Sequence, residues 1–290
     1  MEASPGLNAR FAMPELAEVE YVRRRWNPGL GHAIATLRLH PRAGVFKTCD
    51  PALLAKLLPG ARLESSEAAA KQMLFRLFAA DQARTPLWLG IHLGMTGELL
   101  VRPHGLPDRK ADHLILDQPA AKQSLVFSDF RMFGRVQFHA GPDAPAWWAQ
   151  IAPAVTSPEF TLAAVSEFLR RRARSPIKAV LLMQERFPGI GNWMADEILW
   201  RAALHPARRC GDLSAVEVKK LHSETVWVAR EALRLIGAAD TPEWPDPPKT
   251  WLFQHRWEDG GCCPRTKKPL ERATIGGRTT CWSPARQKLA

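Results

Sequence analysis

The most specific stretch of the sequence is PGIGNWMADEILWRAALHP, residues 188–206. Two glycines, one residue apart, lead into a helical pattern that begins at Asn192. Free N–H groups and the helix dipole at such an end favour a phosphate group. The alternative is a glycine-rich turn between helices, in which Asn192 only caps the second helix.

The segments around this stretch predict an α+β multidomain protein. From residue 33 to 139 the chain consists of short apolar runs such as KQMLFRLF (71–78) and PLWLGIHLG (86–94), which are typical of an antiparallel β-sandwich or barrel. A flanking helix is predicted over 14–25, and apolar spacing of three and four predicts helices over 160–173 and 214–236. Near the end, RATIGGRTTCWSPARQ (272–287) predicts a β-hairpin with Arg278 directly after its glycine turn.

Composition limits the class of partner. The chain has 290 residues and a formal charge of +11, and 46% of its residues are hydrophobic. Such a basic globular protein favours an anionic partner, nucleic acid first and a membrane surface second. No run is long enough for a membrane span, and the first twelve residues lack the apolar core of a secretory signal. We therefore expect a soluble intracellular protein.

The five cysteines, residues 49, 210, 262, 263 and 281, argue for a reducing compartment because their number is odd. Cys262, Cys263 and Cys281 flank the predicted hairpin, which invites a zinc interpretation. The C-x-x-C spacing that tetrahedral zinc sites use is absent, however. We expect neither a metal nor another cofactor.

Three segments taken together resemble the formamidopyrimidine-DNA glycosylase / endonuclease VIII family. They are PELAEVE (14–20), GIGNWMADEILWRAALHP (189–206) and RTTCWSPARQK (278–288), and the resemblance extends from Met13 to the C-terminus. IHLGMTGEL (91–99) and FSDFRMFGR (127–135) match two further family segments. The resemblance implies an N-terminal antiparallel β-sandwich with a flanking helix, a helix–two-turn–helix domain and a C-terminal finger hairpin.

The resemblance also implies roles for individual residues. It assigns the nucleophile to Pro14, the neighbouring acid to Glu15 and a further acidic residue to Glu18, and it includes Lys71 among the catalytic residues. Phosphate binding is assigned to Lys71, His92, Asn192 and Arg278. The void left by an everted nucleotide is assigned to Met95, Arg131 and Phe133, a trio typical of the oxidised-purine branch. Taken without the resemblance, Met95 and Phe133 would be interpreted as core residues.

The finger departs from the family pattern. Its four zinc positions fall on Cys263, Thr266, Ser283 and Arg286, of which one can bind zinc. We therefore expect a zincless finger whose hairpin is held by packing, with Trp257, Leu270, Ile275 and Trp282 as the candidate residues.

The implied activity is that of a bifunctional DNA glycosylase/AP lyase of base-excision repair. It would remove formamidopyrimidine and 8-oxoguanine from duplex DNA by Schiff-base chemistry at an N-terminal proline, followed by β,δ-elimination. Two alternatives stay open: an endonuclease VIII-like enzyme for oxidised pyrimidines, and a non-catalytic lesion-binding protein if Pro14 is not the free N-terminus. The implied partner is damaged double-stranded DNA, bound by a cytoplasmic, nucleoid-associated monomer in a bacterium.

The domain organisation follows from the same comparison. Because Pro14 is internal as numbered, we expect translation to begin at Met13, with residues 1–12 absent from the mature protein. The catalytic β-sandwich domain is expected over 13–145, the helical DNA-binding domain over 146–245 and the finger over 246–290.

Overall fold

The structure is a computed structural model that describes residues 13–40, 42–80, 84–242 and 245–289. The described chain divides into two compact units. One contains Pro14 and Glu18–Ile151, and the other contains Glu15–Ala17 and the chain from Ala152 onward. The expected extension, residues 1–12, lies outside the described residues, and the boundaries at 145 and 245 stay predictions.

Two four-stranded antiparallel sheets form most of the first unit. Their orders are β1-β6-β7-β5 and β2-β3-β4-β8. The strands are β1 (Thr36–Leu39), β2 (Arg62–Ala69), β3 (Gln72–Phe78), β4 (Pro86–His92), β5 (Gly97–Pro103), β6 (Asp112–Gln118), β7 (Gln123–Asp129) and β8 (Arg135–Ala140). This architecture confirms the predicted fold class.

The first unit also contains helical segments. They are α1 (Leu16–Arg24), whose first two residues group with the second unit, α2 (Pro51–Leu57) and α3 (Ala146–Ala149). The sequence prediction did not include α2, although Asp50 followed by Pro51 is a typical helix start. The Asp50 carboxylate accepts a hydrogen bond from the Ala52 N–H at 2.9 Å, which caps the first turn.

Four α-helices and a hairpin form most of the regular structure described between Ala152 and Leu289. The helices are α4 (Leu162–Arg171), α5 (Ile177–Leu181), α6 (Asn192–Ala202) and α7 (Ala215–Ala232), and the hairpin strands are β9 (Glu271–Ile275) and β10 (Arg278–Trp282). Gly276 and Gly277 both have positive φ, as a two-residue type I′ turn requires. A Cβ on Gly276 would lie 2.7 Å from the Ala179 Cβ, so α5 also requires glycine there. No helix in the described chain is long and apolar enough to cross a bilayer.

The finger packs on α6 through a small buried cluster. Trp200 of α6 contacts the apolar residues that fill its base: Leu252, Cys263, Leu270 and Cys281. Of the four expected packing residues, Leu270 and Trp282 are buried, whereas Trp257 and Ile275 are only partly buried. Trp257 packs against Phe253, with 5.2 Å between the ring centres. The packing role of Ile275, next to the glycine turn, stays a prediction.

A buried charge network joins α5, α6 and the finger at Asp196. One carboxylate oxygen accepts a hydrogen bond from Lys178 Nζ at 2.5 Å, and the other accepts from Arg256 Nη2 at 2.6 Å and from the Cys281 N–H at 3.0 Å. Burial lowers the pKa of Lys178, while the charge of Asp196 opposes that shift. One side chain of α6 thus holds the strand that follows Arg278.

We expect Asp196→Asn to destabilise the protein by about 3–5 kcal/mol, because it leaves two buried cations without their counter-charge. Thermal and urea unfolding measure the loss, and limited proteolysis should show earlier cleavage within residues 256–289. Asp212→Asn is the matched control, since Asp212 is exposed, and it should leave stability within about 0.5 kcal/mol. A loss below 1 kcal/mol for Asp196→Asn would show that the network is not what holds the finger.

Candidate functional site

The carboxylate of Glu15 lies at the N-terminus of α6. Its Oε2 accepts hydrogen bonds from the N–H groups of Gly191 at 2.8 Å and Met194 at 3.1 Å, and its Oε1 accepts from Trp193 at 2.8 Å. The Leu16 N–H donates to the Gly189 carbonyl at 3.0 Å. The residues that follow Pro14 are therefore fixed by the glycine turn, and the negative carboxylate faces the positive end of the helix.

This arrangement corrects both interpretations of the glycine turn. The N–H groups at the start of α6 were expected to be available to a phosphate, but Glu15 occupies three of them. The residue at the N-cap position is Gly191, not Asn192, and since Gly191 has no side chain the carboxylate of Glu15 takes the place of a capping residue. The signal for an intramolecular anion was the carboxylate directly after Pro14, whose distant partner a single sequence does not reveal.

Gly191 is required by the closeness of Glu15. A Cβ at position 191 would lie 2.4 Å from Cδ and 2.5 Å from Oε1 of Glu15. The Gly191 φ of −124° suits any residue, so the requirement comes from this contact and not from backbone strain.

Asn192 and Arg278 share one surface of the second unit. The Asn192 Nδ2 donates to the Thr279 carbonyl at 2.8 Å, next to Arg278 at the exposed start of β10. The Asn192 Oδ1 has no hydrogen-bond partner among the described residues. Two of the four expected phosphate-binding residues are therefore neighbours, and we call them the hairpin surface.

His92 and Lys71 are neighbours in the first unit. His92 ends β4, where it pairs with Gln72, and Lys71 lies in the turn just before Gln72. Burial, reinforced by the charges of Arg135 and Lys71, lowers the pKa of His92 to about 4. The Gly94 N–H donates to the His92 Nδ1 at 3.0 Å, so in the neutral ring Nε2 carries the proton. His92 thus offers an N–H donor without a charge.

Asp129 connects the two loops that carry the void-filling candidates. Its carboxylate accepts hydrogen bonds from Thr96 Oγ1 at 2.5 Å and from the N–H groups of Arg131 at 3.2 Å and Gly134 at 2.6 Å. Thr96 follows Met95, so one buried carboxylate orders both loops. The sequence analysis did not single out Asp129, although an acid at the end of a predicted strand and just before a glycine-containing loop is a usable signal.

The loop after Asp129 exposes more apolar surface than the sequence analysis expected. Phe133 is 55% exposed, and the Arg131 guanidinium lies 4.7 Å from its ring centre. Phe130 is 81% exposed and Met132 46%, and neither was among the predicted site residues. The core interpretation of Phe133 is therefore wrong, whereas Met95 is half-buried. Large exposed apolar side chains in one loop indicate a binding function.

The residues aligned with the family's zinc positions surround the sulfur of Cys263. Trp200 Nε1 donates to this sulfur at 3.3 Å, and Arg286 donates to the Trp200 carbonyl at 3.2 Å. Burial opposes ionisation of Cys263, but interactions with the Ser283 and Thr266 side chains, the Thr266 backbone and the Trp200 indole together lower the pKa of the thiol to about 7. No cluster of three or more His, Cys, Asp or Glu that could hold a metal occurs in the part of the chain described. These residues do not fit a zinc ion.

Family models match most of the chain. Residues 13–136 match the formamidopyrimidine-DNA glycosylase N-terminal domain, and residues 151–241 match the formamidopyrimidine-DNA glycosylase H2TH domain. The formamidopyrimidine-DNA glycosylase of Chloroflexus aggregans is 33% identical over 96% of this chain and 99% of its own length. That of Exiguobacterium sibiricum is 30% identical over 96% of this chain and its own full length.

Solved structures of a Lactococcus lactis protein have the same fold. The complex of that formamidopyrimidine-DNA glycosylase with DNA containing N7-benzyl-Fapy-dG gives a TM-score of 0.81 at 26% identity, covering 95% of this chain and 100% of the other. Complexes of the same protein with DNA containing an oxidised pyrimidine and with DNA containing an abasic site also give TM-scores of 0.81.

We expect Gly191→Ala to lower stability by about 1–3 kcal/mol, because its Cβ displaces the Glu15 carboxylate from its N–H donors. The same substitution in a Glu15→Ala background should cost much less, because the obstructing carboxylate is gone. Gly44→Ala serves as a control, since its Cβ would meet no atom closer than 3.5 Å. Chemical unfolding measures the wild type and the four variants, and equal losses in both backgrounds would contradict this account of Gly191.

We expect the ring of His92 to stay neutral from about pH 5 to pH 8, with a titration midpoint near pH 4. Below about pH 6.5 the imidazole of His92 is protonated in the unfolded chain but not in the folded one. His92 therefore lowers the free energy of unfolding as the pH falls toward 4. Side-chain NMR of the wild type and of His92→Gln identifies the resonance. His139→Gln, at an exposed position on β8, is the assignment control. A midpoint above pH 6 for His92 would be inconsistent with a neutral donor.

Proposed function

The chain belongs to the formamidopyrimidine-DNA glycosylase family, and we propose that within this family it removes oxidised purines from duplex DNA through a Schiff base formed by Pro14. It is accordingly a DNA-repair glycosylase with AP lyase activity. The proposed substrates are formamidopyrimidine and 8-oxoguanine, and the reaction ends in β,δ-elimination.

Damaged double-stranded DNA is the proposed partner. The solved relatives from Lactococcus lactis hold lesion-containing DNA, and the charge of +11 favours a polyanion. The hairpin surface, with Asn192 and Arg278, and the pair Lys71 and His92 are proposed to contact phosphates. Among these four, Arg278 and Lys71 supply charge, whereas a neutral His92 supplies a hydrogen-bond donor.

The proposed nucleophile is the amine of Pro14, freed when Met13 is removed. A free α-amino group has a pKa of about 8, so much of it is uncharged near neutral pH, whereas a lysine amine has a pKa of about 10.4. The nitrogen lone pair bonds to C1′ of the deoxyribose while the bond from C1′ to the base breaks, and the base leaves with that electron pair and takes up a proton. The nitrogen then loses its proton; as the C1′–O4′ bond breaks, O4′ takes up a proton and the nitrogen lone pair forms an iminium with C1′. Loss of a C2′ proton then expels the 3′ phosphate, and a second elimination expels the 5′ phosphate.

One observation carries the proposal: the residue beside Pro14 is a carboxylate fixed by three backbone N–H donors. Only one peptide bond separates the two residues, so fixing Glu15 restricts where the Pro14 nitrogen can lie. We assign to Glu15 the transfer of protons to and from the sugar oxygen. Glu18, fully buried in the first turn of α1 and three residues after Glu15, is proposed as the second acid.

The exposed loop supports the eversion of a base. An enzyme that acts on a base inside a duplex must first rotate that base out of the stack. Arg131 and Phe133, stacked on each other at 4.7 Å, and half-buried Met95 are proposed to fill the resulting void. Retention of this trio favours the oxidised-purine branch.

We expect borohydride to trap a covalent complex when the protein, verified by intact mass to begin at Pro14, meets an 8-oxoguanine duplex. Pro14→Gly should abolish or greatly weaken trapping, because a primary amine does not give an iminium with a permanent charge. Glu20→Gln, a partly buried position on the same helix, is the control and should trap like the wild type.

Two outcomes of this experiment would overturn the proposal. Absence of a trapped product from protein that begins at Pro14 would favour a lesion-binding protein without catalysis. Stronger trapping with a thymine glycol duplex than with an 8-oxoguanine duplex, when the two compete, would favour an endonuclease VIII-like preference for pyrimidines.

A further inference from the structure

The second unit contains a cavity that the proposed reaction does not use. Its volume is about 760 Å³, and it is lined by the end of α7 and the residues directly after it (227–235), by Arg201 of α6, and by residues 248–255 and 264–267. We call it the basic pocket. The residues of its wall on which the argument rests are Trp227, Trp251, Arg234, Lys249, Arg265 and Lys267.

An exposed indole forms one wall of the basic pocket. Trp227 is 41% exposed, and its ring centre lies 5.5 Å from that of buried Trp251. The guanidinium of Arg201 lies 4.0 Å from the Trp227 ring centre and 4.8 Å from that of Trp251. Arg201 is itself held by Glu197 at 2.7 Å. The indole is thus supported from within the protein and has aromatic surface left for a ligand.

Cations surround this indole. Arg234, Lys249, Arg265 and Lys267 are all exposed, and Glu231, which pairs with Arg234 at 2.8 Å, is the one acid among the described residues of the wall. In the described chain, no salt bridge is formed by Lys249, Arg265 or Lys267. The pocket therefore carries positive charge that internal carboxylates do not neutralise.

We propose that the basic pocket binds a short segment of single-stranded DNA, with one base stacked on Trp227 and the flanking phosphates on Lys249 and Lys267. An aromatic platform beside backbone-tracking cations is the arrangement by which proteins hold single strands. The base must be unpaired, because the faces of bases within a duplex are covered by their neighbours. The cavity has the size of a site for one nucleotide-sized group. This binding does not depend on the chemistry at Pro14.

The test is the anisotropy of fluorescein-labelled dT10 titrated with the full chain. Trp227→Ala should weaken binding about 5-fold or more, since stacking of one base contributes about 1–3 kcal/mol. Lys249→Gln combined with Lys267→Gln should weaken binding and lower the log–log salt slope by about 1.4, or about 0.7 for each phosphate. Trp227→Phe, which keeps a smaller ring, should lose less than Trp227→Ala.

A matched control separates the basic pocket from general charge. Lys219→Gln combined with Lys220→Gln removes two exposed charges from α7 outside the pocket and should leave dT10 binding unchanged. Equal losses in the two lysine pairs, or no loss in the pocket variants, would overturn the proposal. So would competition by dTMP or inorganic phosphate as effective as unlabelled dT10, which would reveal a simple anion site.

Discussion

The catalytic account depends on one contact, between the carboxylate of Glu15 and the N-terminus of α6. Glu15 accepts hydrogen bonds from Gly191, Trp193 and Met194, at the point where the glycine turn becomes α6. The interaction joins the start of the chain to a segment about 175 residues later. It explains at once why position 191 lacks a side chain and why the residue after Pro14 is acidic. A helix N-terminus that could hold a phosphate instead fixes the position of the chain's own acid.

A second buried carboxylate, that of Asp196, links the segments of the finger to α6, as a structural metal ion links the segments of other small domains. Its bonds to Arg256 and to the Cys281 N–H hold the hairpin on α6 from inside the protein. Of the aligned zinc positions only Cys263 keeps a thiol; the others are the hydroxyls of Thr266 and Ser283 and the guanidinium of Arg286, and the indole N–H of Trp200 donates to the Cys263 sulfur. The hairpin that carries Arg278 is therefore held in place by a buried carboxylate and two buried cations.

The fold class could be predicted from the sequence because the patterns that indicate strands and helices are local. The segments that resemble the family also occur in the expected order along the chain. The apolar runs 71–78 and 86–94 contain β3 and β4, as predicted, whereas β2 and β5 were not among the quoted runs. The sequence of β2 is largely polar, and that of β5 is bounded by glycine and proline. A strand is thus readable from the sequence where it carries an uninterrupted apolar run, and it is obscured where that run is polar or short.

The site was predictable only in part, for a physical reason. Arg278 was identified from its place directly after the glycine turn, whereas Phe133 was assigned only through the family resemblance. The hydrogen bonds of Glu15 with the start of α6, and those of Asp129 with two loops, join segments of the chain that are distant in sequence. The spacing of residues in a single sequence does not encode such contacts. The exposure of Phe130 was missed because a strand-like run containing phenylalanine predicts burial.

The most direct test of the central claim identifies the atom that bonds to the sugar. Tryptic digestion of the borohydride-reduced complex, followed by tandem mass spectrometry, should yield the peptide PELAEVEYVR, residues 14–23, with the deoxyribose remnant on the nitrogen of Pro14. A remnant on Lys71 or another lysine, or a modified peptide that still begins at Met13, would contradict it.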